Sequence, residues 1–437
     1  MTLPGPAARR LAPEHWMQAA WMHADAARRV LDVLGPLPAL FVGGCVRDAL
    51  LGQVPADIDI ATPLVPNEVL RRLRQAGLKA IPTGIAHGTV TALLSAAGGM
   101  AQFEITTLRR DVATDGRHAE VAFGTDWQVD AERRDFTINA LYADADGAIY
   151  DPVGGLADLD QGRVRFIGDA SARVAEDYLR VLRFFRFHAR FASGVADAAA
   201  MAACGAAAQS GALERLSGER VREELVKILG LPRAVEALGL MQQSGVLDAL
   251  LPGHRFAAAL FERLTALSND AWLRLAALLP GQSEAAIARL KLSRAQQHRM
   301  EVLTAPAPFD WAALSDETGW PALFYSHGAE YCRDHAILMA LENPERLDLL
   351  PRLIEAAARY RRPVFPLRGA DLLKHGVRAG PGVSLILKEL EAWWRDGGFN
   401  AGREACLTEM RERVRFAEDA PPEEAQPKPP PKPPGEA

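Results

Sequence analysis

Cysteine is scarce in this 437-residue sequence, and long apolar runs are missing from it. The four cysteines are far apart and form no CxxC pair, which argues against a disulfide framework or a zinc site and fits a reducing compartment. No apolar run approaches the roughly 18–20 residues that a membrane-spanning helix needs. The first residues, MTLPGPAARRLAPEHW, lack the apolar core of a secretory signal. We therefore expect a cytoplasmic protein with no membrane partner.

The sequence also lacks an excess of basic charge. Its formal net charge is −5, which is not typical of a nucleic-acid-binding protein. A local stripe of arginine and lysine can still bind phosphate, because salt screens charges that lie more than roughly 8–10 Å apart. The net charge therefore excludes neither a nucleic acid nor a nucleotide as a ligand.

Two periodicities divide the chain. Residues 13–35 predict a helix that ends at a glycine. From about residue 39 to 142, short β-like runs alternate with glycine-rich or charged turns, which predicts a small mixed sheet with helices on one face. After about residue 160, apolar residues recur at helical spacing as far as about residue 417. The predicted fold class is α+β, with a small mixed-sheet domain followed by all-α segments.

The first motif with chemical content is FVGGCVRDALLG at residues 41–52. A short apolar strand leads into Gly43 and Gly44, and a helix then begins with Arg47 in its first turn. Exposed backbone N–H groups at the start of a helix favour a phosphate, and Arg47 could add a charge-assisted contact. Taken alone, two glycines before a helix more often mark a turn.

The second motif is ADIDIAT at residues 56–62. Alternation along a strand would place Asp57 and Asp59 on one face. Two adjacent carboxylates repel unless water or a cation compensates them, and a pair of Mg²⁺ ions does so in attack on a nucleotide α-phosphate. A solvated strand end explains an isolated DxD equally well, but the upstream GG and arginine favour catalysis. Glu104 could complete the metal site if its strand pairs with this one; a surface glutamate on an edge strand is the alternative.

The third motif is ERRDFTINALYAD at residues 132–144. Arg134 suits a triphosphate, and Asp135 could accept a hydrogen bond from a ribose 2′-hydroxyl, which would select ribonucleotides. Asn139 adds an amide to the same segment. The alternative is a charged helix cap.

The fourth motif is AEDYLRVLRFFRFHARF at residues 175–191. If this segment is one helix, Asp177 and Arg180 face the same way, and Arg183 and Arg186 continue a basic stripe. An aspartate beside an arginine offers both acceptors and donors, which reading the edge of a base requires. A solvated amphipathic helix with ion pairs is the alternative.

Together these motifs resemble the class II nucleotidyltransferases, which comprise the CCA-adding tRNA nucleotidyltransferases and bacterial poly(A) polymerases. The pattern GGxVRDxLLG–DxDxxT–RRDFTxNAL–EDxxRxxRxxRF occurs in order, and ERVREELVKIL at residues 219–229 is similar to the neck-helix motif of the family. The resemblance covers about residues 39–230. It implies an enzyme that adds CCA to the 3′ end of tRNA from CTP and ATP, releases pyrophosphate and uses no nucleic-acid template.

The resemblance also implies a role for each matching residue. Asp57 and Asp59 would hold two Mg²⁺ ions, while Asp177 and Arg180 would form the protein template that pairs with CTP or ATP. The residues implied at the nucleotide are Gly43, Gly44, Arg47, Arg134, Asp135, Asn139, Asp177, Arg180, Arg183 and Arg186.

The segment LRRDVATDGRHAEV at residues 108–121 is similar to the flexible loop of the family, with Asp111, Asp115 and Arg117 as its polar residues. PTGIAHGTVTAL at residues 82–93 is more similar to the CCA-adding branch than to the poly(A) branch. The alternatives are a poly(A) polymerase, an A-adding enzyme of a split CC/A system, and a catalytically silent RNA-binding protein. The implied partners are a tRNA 3′ end, CTP and ATP, and no DNA is expected.

The resemblance divides the chain into named parts. It implies a catalytic head at 1–141, a base-recognising helical neck at 142–232, a helical body at 233–330 and a helical, tRNA-binding tail at 331–417. The last residues, 418–437, are rich in proline and charge, which predicts disorder.

Overall fold

A computed structural model describes residues 3–15, 19–96, 99–114, 119–279 and 284–419 of the chain. Within these residues the strands are β1 Arg9–Arg10, β2 Leu40–Val42, β3 Asp59–Thr62, β4 Lys79–Gly84, β5 Thr89–Ala96, β6 Gly99–Thr107, β7 Arg109–Thr114, β8 Ala119–Phe123, β9 Tyr142–Ala143 and β10 Ala148–Tyr150.

The helices of the first half are α1 Ala20–His23, α2 Asp25–Leu34, α3 Gly44–Leu50, α4 Pro66–Gln75, α5 Trp127–Glu132, α6 Gly155–Asp160, α7 Ala170–Glu176, α8 Leu179–Phe191, α9 Ala198–Gln209 and α10 Gly218–Leu229. Those that follow are α11 Ala234–Gln243, α12 Val246–Leu250, α13 Ala258–Leu267, α14 Ala271–Leu278, α15 Glu284–Arg289, α16 Arg294–Thr304, α17 Trp311–Ser315, α18 Trp320–His327, α19 Ala329–Glu342, α20 Leu350–Arg359, α21 Gly369–Lys374, α22 Pro381–Asp396 and α23 Arg403–Asp419.

Eight of the described strands form one mixed sheet in the order β1-β10-β9-β2-β3-β6-β5-β4. Its β3–β6 pair is parallel and its other pairs are antiparallel. Phe41, Ile60, Phe103 and Ile105 are fully buried along the central strands, and α2 and α4 pack against the sheet. The α+β fold class is therefore confirmed.

The sheet extends past the head boundary expected at residue 141. β9 pairs with β2, and β10 joins β9 to the short strand β1 near the N-terminus. The chain divides into two compact units between Ala305 and Pro306. The finer division into neck, body and tail stays a prediction.

Two helices expected to be continuous are interrupted. The helix predicted over 13–35 was wrong as a single element, because Ala24 is extended (φ −58°, ψ 143°) between α1 and α2. The helix predicted over 175–191 was also wrong, because Asp177 has the extended values φ −152° and ψ 105° between α7 and α8. The spacing of apolar residues in the sequence is helical on both sides of each break, so it does not reveal a single extended residue between two helices.

The segment predicted as a loop at 108–121 is a β-hairpin where the structure describes it. β7 and β8 pair antiparallel, with Arg109 opposite Phe123 and Asp111 opposite Val121. Asp115 and Arg117 lie outside the described residues.

Beyond Tyr150 the described chain contains helices and no further named strand. Side-chain caps set the start of several: Asp169 caps α7, Ser217 caps α10, and Asp270 caps α14. None of the helices in the described ranges has the length and apolarity to cross a lipid bilayer.

Candidate active site

A cleft of about 640 Å³ brings the four sequence motifs together. It is lined by the turn between β2 and α3, the segment before β3, the 133–139 segment, α8 and the start of α10. The predicted residues that line it are Gly43, Gly44, Arg47, Asp57, Asp59, Arg134, Asp135, Asn139, Asp177, Arg180, Arg183 and Arg186. An aromatic cluster holds α8 against the third motif, with Phe136 4.9 Å from Phe166 and 5.1 Å from Phe187 between ring centroids.

Asp57 and Asp59 form the acidic end of the cleft. Asp57 is exposed and precedes β3, so the two carboxylates are not carried by one regular strand as the alternation predicted. The parallel pairing of β3 and β6 places Asp59 opposite Glu104. Because β6 lies between β3 and β5, the edge-strand alternative for Glu104 is wrong.

The electrostatics of this end fit a divalent cation. The pKa of Asp59 is raised to about 6, mainly by burial; the charges of Glu104 and Asp57 contribute to the rise, and Arg134 opposes it. Mg²⁺ is typically held by one or two carboxylates, with water and substrate phosphates as its other ligands. Among the residues that the structure describes, no three His, Cys, Asp or Glu side chains are grouped as a metal site. Glu104 as a third ligand therefore stays a prediction.

The glycine turn of the first motif leaves space beside two polar groups. Gly43 has φ +76°, and a Cβ added there would lie 3.4 Å from the carbonyl oxygen of Asn139 and 3.5 Å from Arg134 Nη1. A side chain at Gly43 would thus be strained and would crowd the arginine. The phosphate contact predicted for Gly43 and Gly44 stays a prediction.

Arg47 is buried and is largely committed to protein partners. Its Nε donates to Asp48 Oδ1 at 2.9 Å, and its Nη1 donates to Asn139 Oδ1. Its guanidinium carbon lies 4.0 Å from the centroid of the Phe191 ring. These contacts join α3 to the third motif and to α8.

Asp135 is occupied by neighbours in the same way. Its Oδ1 accepts from the backbone N–H of Phe136 (2.8 Å) and from Asn139 Nδ2 (3.1 Å). Its Oδ2 accepts from Arg183 Nε at 2.8 Å, and Arg183 holds the pKa of Asp135 below its usual value although burial opposes this. In this arrangement Asp135 orients Arg183, and the ribose contact predicted for it stays a prediction.

The predicted template residues, Asp177 and Arg180, are each paired with other residues of the protein. Asp177 Oδ1 accepts from the N–H of Leu179 at 3.0 Å, and its Oδ2 accepts from Arg220 Nη2 at 2.7 Å. Arg180 instead donates to Glu176 and to the carbonyl oxygen of Arg173. Both still line the cleft.

Helix α10 provides partners for two charged residues of the cleft, Asp177 and Arg186. Arg186 Nε donates to Glu224 Oε2 at 2.6 Å, and Glu224 is buried. α10 therefore supplies one cation to Asp177, through Arg220, and one anion to Arg186.

Three cleft arginines were not singled out from the sequence: Arg109, Arg133 and Arg220. Each nevertheless lies within a quoted segment. Arg133 precedes Arg134 in the third motif, Arg220 is the second residue of the neck-helix motif, and Arg109 is the second residue of the segment expected to be a loop. Only the fold shows that their side chains reach the same space.

Comparison with known families and structures agrees with this geometry. Residues 39–165 match the model of the poly A polymerase head domain. Residues 198–257 match a model described as a probable RNA and SrmB- binding site of polymerase A.

Named relatives cover most of the chain. It is 37% identical over 385 residues to the mitochondrial CCA tRNA nucleotidyltransferase 1 of Danio rerio, covering 84% of this chain and 86% of the relative. It is 31% identical over 391 residues to the CCA-adding enzyme of Lactobacillus gasseri, covering 85% and 92%.

Solved structures give the same result. The CCA-adding enzyme of Bacillus stearothermophilus in complex with CTP superposes with a TM-score of 0.68 at 27% identity, covering 93% of this chain and 99% of that one. The Thermotoga maritima CCA-adding enzyme, solved with tRNA, shares the fold with a TM-score of 0.65 at 22% identity, covering 93% and 99%. The extent and identity of these matches show that the chain belongs to the family of CCA tRNA nucleotidyltransferases, the CCA-adding enzymes.

Proposed function

We propose that this protein adds C, C and A in turn to the 3′ end of tRNA, using CTP and ATP and releasing pyrophosphate. The observation that supports the proposal is that one cleft is lined by the acidic pair Asp57 and Asp59, by a cluster of arginines, and by Asp177 with its partner Arg220. These are the parts that nucleotidyl transfer needs: carboxylates for metal, cations for the triphosphate, and donors and acceptors for a base.

Asp57 and Asp59 would hold two Mg²⁺ ions at the acidic end. When bound, these ions supply charge neutralisation of the triphosphate and a more acidic RNA 3′-hydroxyl. Burial first, and then the charges of Glu104 and Asp57, raise the pKa of Asp59, so a bound cation would stabilise its ionised form.

The reacting atoms are the 3′-hydroxyl oxygen of the RNA and the α-phosphorus of the nucleotide. The oxygen–phosphorus bond forms as the bond from the α-phosphorus to the pyrophosphate oxygen breaks, and the hydroxyl proton is released to water. Arg134 and Arg133 lie in the cleft on the third motif, where their charges would hold the triphosphate in line for this displacement.

Base selection is assigned to Asp177 and Arg180, with Arg220 as a further participant. Asp177 offers carboxylate acceptors and Arg180 offers guanidinium donors, which together complement the Watson–Crick edge of cytosine or adenine. Their present partners, Arg220 and Glu176, keep both groups satisfied without a nucleotide. A bound base would therefore replace the hydrogen bonds that Asp177 and Arg180 now make to Arg220 and Glu176.

The decisive experiment supplies CTP, ATP and Mg²⁺ to three tRNA substrates: one lacking CCA, one ending in CC and one complete. We expect addition of C, C and A to the first, of A to the second and of nothing to the third. Asp59→Ala is the matched control; it should abolish incorporation and leave tRNA binding largely intact.

Each alternative has its own outcome in this assay. Long A-tracts from ATP alone would indicate a poly(A) polymerase. Addition of A to the CC-ended substrate without any use of CTP would indicate the A-adding half of a split system. Binding of tRNA without incorporation under Mg²⁺ or Mn²⁺ would indicate a silent RNA-binding protein.

We also propose that the protein acts in the cytoplasm. The sparse, unpaired cysteines support this, since all four are buried thiols. The vertebrate relatives carry the word mitochondrial in their names, so fractionation of cells that express a tagged chain is the test. Recovery of the protein with a membrane-bounded compartment would contradict the proposal.

A further inference from the structure

A single buried carboxylate joins three of the arginines at the phosphate end of the cleft. Asp130 lies on α5 and is 1% exposed. Its Oδ1 accepts from Arg133 Nε at 2.9 Å and from the backbone N–H of Arg109 at 3.4 Å. Its Oδ2 accepts from Arg134 Nη2 at 3.0 Å and from the hydroxyl of Tyr142 at 2.8 Å. Arg109, Arg133 and Arg134 line the cleft, whereas Asp130 does not.

Both guanidinium groups are paired with Asp130 and also line the cleft. The Arg133 and Arg134 side chains are 14% and 18% exposed, so both are largely fixed by the protein. Arg134 Nε is buried and has no hydrogen-bond partner among the described residues. Arg134 Nη1 is the group that a Cβ on Gly43 would meet at 3.5 Å. Arg134 Nη1 therefore lies beside the glycine turn, where a phosphate would approach.

The carboxyl group of Asp130 is ionised at neutral pH. Burial would raise its pKa, but Arg134 and Arg133 outweigh burial and hold the pKa at about 2. A guanidinium with a buried anionic partner keeps one fixed orientation, which reduces the entropy lost when a phosphate binds. Replacement of the carboxylate by a neutral amide would leave the arginines to adopt other rotamers or to repel each other.

We propose that Asp130 is a positioning residue, which fixes Arg133 and Arg134 for the triphosphate and ties them to the first residue of the β7–β8 hairpin. The proposal rests on the proposed function only in that the ligand is a nucleoside triphosphate. It requires that Asp130 affect the binding of the β- and γ-phosphates and not the binding of the base or sugar. Asp130 itself touches neither substrate nor reacting atoms.

Asp158 provides a matched control in the same domain. It is a fully buried carboxylate that also holds two arginines and a hydroxyl: Arg163 Nε at 2.7 Å, Arg165 Nε at 2.6 Å and Thr137 Oγ1 at 2.6 Å. Neither of its arginines lines the cleft. Its replacement by asparagine thus breaks a comparable network that contains none of the cleft arginines.

The experiment measures the dissociation constants of CTP and CMP, and of ATP and AMP, for the full-length chain with Mg²⁺. In Asp130→Asn we expect CTP and ATP to bind about 10-fold or more weakly, because Arg133 and Arg134 are no longer held in one orientation for the phosphates. CMP and AMP should bind as they do to the wild-type protein, within about 2-fold, because a monophosphate does not reach the triphosphate contacts. Asp158→Asn should leave all four constants unchanged even if its melting temperature falls.

A double variant tests whether Asp130 acts through Arg134. On an Arg134→Gln background, Asp130→Asn should cause little further loss of CTP affinity, since the arginine that it orients is gone. If Asp130→Asn does not fold, Asp130→Glu, which keeps the charge but displaces it by one methylene, should show the same selective loss.

Equal weakening of CTP and CMP, or the same loss of CTP binding in Asp158→Asn, would overturn the positioning role. A wild-type protein that bound CTP no better than CMP would overturn it too. Normal CTP binding and the expected variant pattern, without incorporation into tRNA, would count against the proposed function alone.

Discussion

At the scale of single residues, the cleft is a set of charges that are almost all compensated within the protein. Arg47, Arg183 and Arg186 each have a carboxylate partner at hydrogen-bond distance. Asp59 is different, because its neighbours Glu104 and Asp57 are also acidic. The acidic end of the cleft therefore favours binding of a metal ion. The arginines already have carboxylate partners, so they would bind a nucleotide by exchanging those hydrogen bonds for new ones.

The raised pKa of Asp59 gives a pH-dependent prediction for the metal-free protein. A carboxyl group whose folded-state pKa is raised from 3.8 to about 6 binds its proton more tightly in the folded state than in the unfolded state. Its ionisation therefore lowers stability as the pH rises through that window, and the loss persists at higher pH. Asp59→Asn removes the loss, so in EDTA at neutral pH it should stabilise the fold by about 1–2 kcal/mol after allowance for solvent in the cleft.

Thermal melts with and without Mg²⁺ check this. Near pH 3.8 the variant and the wild-type protein should melt within about a degree of each other. Mg²⁺ should raise the melting temperature of the wild-type protein at neutral pH and have less effect on the variant. A variant that is less stable than the wild-type protein in EDTA would contradict the assigned crowding.

At the scale of elements, the break between α7 and α8 sets the geometry of base recognition. Asp177 is extended and precedes α8, the helix that carries Arg180. Its carboxylate accepts hydrogen bonds from the N–H of Leu179 and from Arg220. α10, which carries Arg220 and Glu224, is thereby a structural part of the recognition site. The motif pattern assigns Asp177 and Arg180 to one face; the fold assigns them to two neighbouring elements.

Arg220→Ala should therefore impair the choice of base more than the binding of the triphosphate. Loss of the guanidinium leaves Asp177 Oδ2 without its cation, so the carboxylate is free to turn. We expect incorporation of incorrect nucleotides relative to CTP and ATP to rise about 10-fold. Competition assays with UTP and GTP measure this, and the exposed Arg215→Ala nearby is the control. Unchanged selectivity in Arg220→Ala would remove α10 from base recognition.

Arg180→Ala should likewise blur the choice among bases, since it removes the donors opposite the Asp177 acceptors. The same competition assay applies, with the apparent KM for CTP and ATP measured beside it. Retained selectivity with a raised KM would mean that Arg180 contacts phosphate and not the base.

At the scale of the whole molecule, the helices that form the cleft depend on a buried cation distant from it. Arg274 on α14 is fully buried and donates to the carbonyl oxygens of Leu229 and Leu231 at the end of α10, and of Ser268 after α13. Buried carbonyl groups at helix ends need such donors. One side chain thus joins α10, the element that carries Arg220, to two later helices.

Arg274→Leu should destabilise the protein by about 3 kcal/mol or more, because several buried carbonyl groups lose their donors together. Urea unfolding followed by circular dichroism measures the loss, and the exposed Arg263→Leu on α13 is the control. A change no larger than that of the control would mean that water replaces the guanidinium.

The sequence alone determined the fold class, the order of the motifs and the identity of most cleft residues. Strand alternation and helical periodicity are local properties, and glycines and paired carboxylates at fixed spacing carry chemistry that can be read without coordinates. Tertiary structure decided which charges meet. Asp130 with Arg134, Asp177 with Arg220, and Asp59 with Glu104 are contacts between different elements or across a break. They depend on strand order, on one extended residue before α8 and on burial, none of which a local pattern specifies.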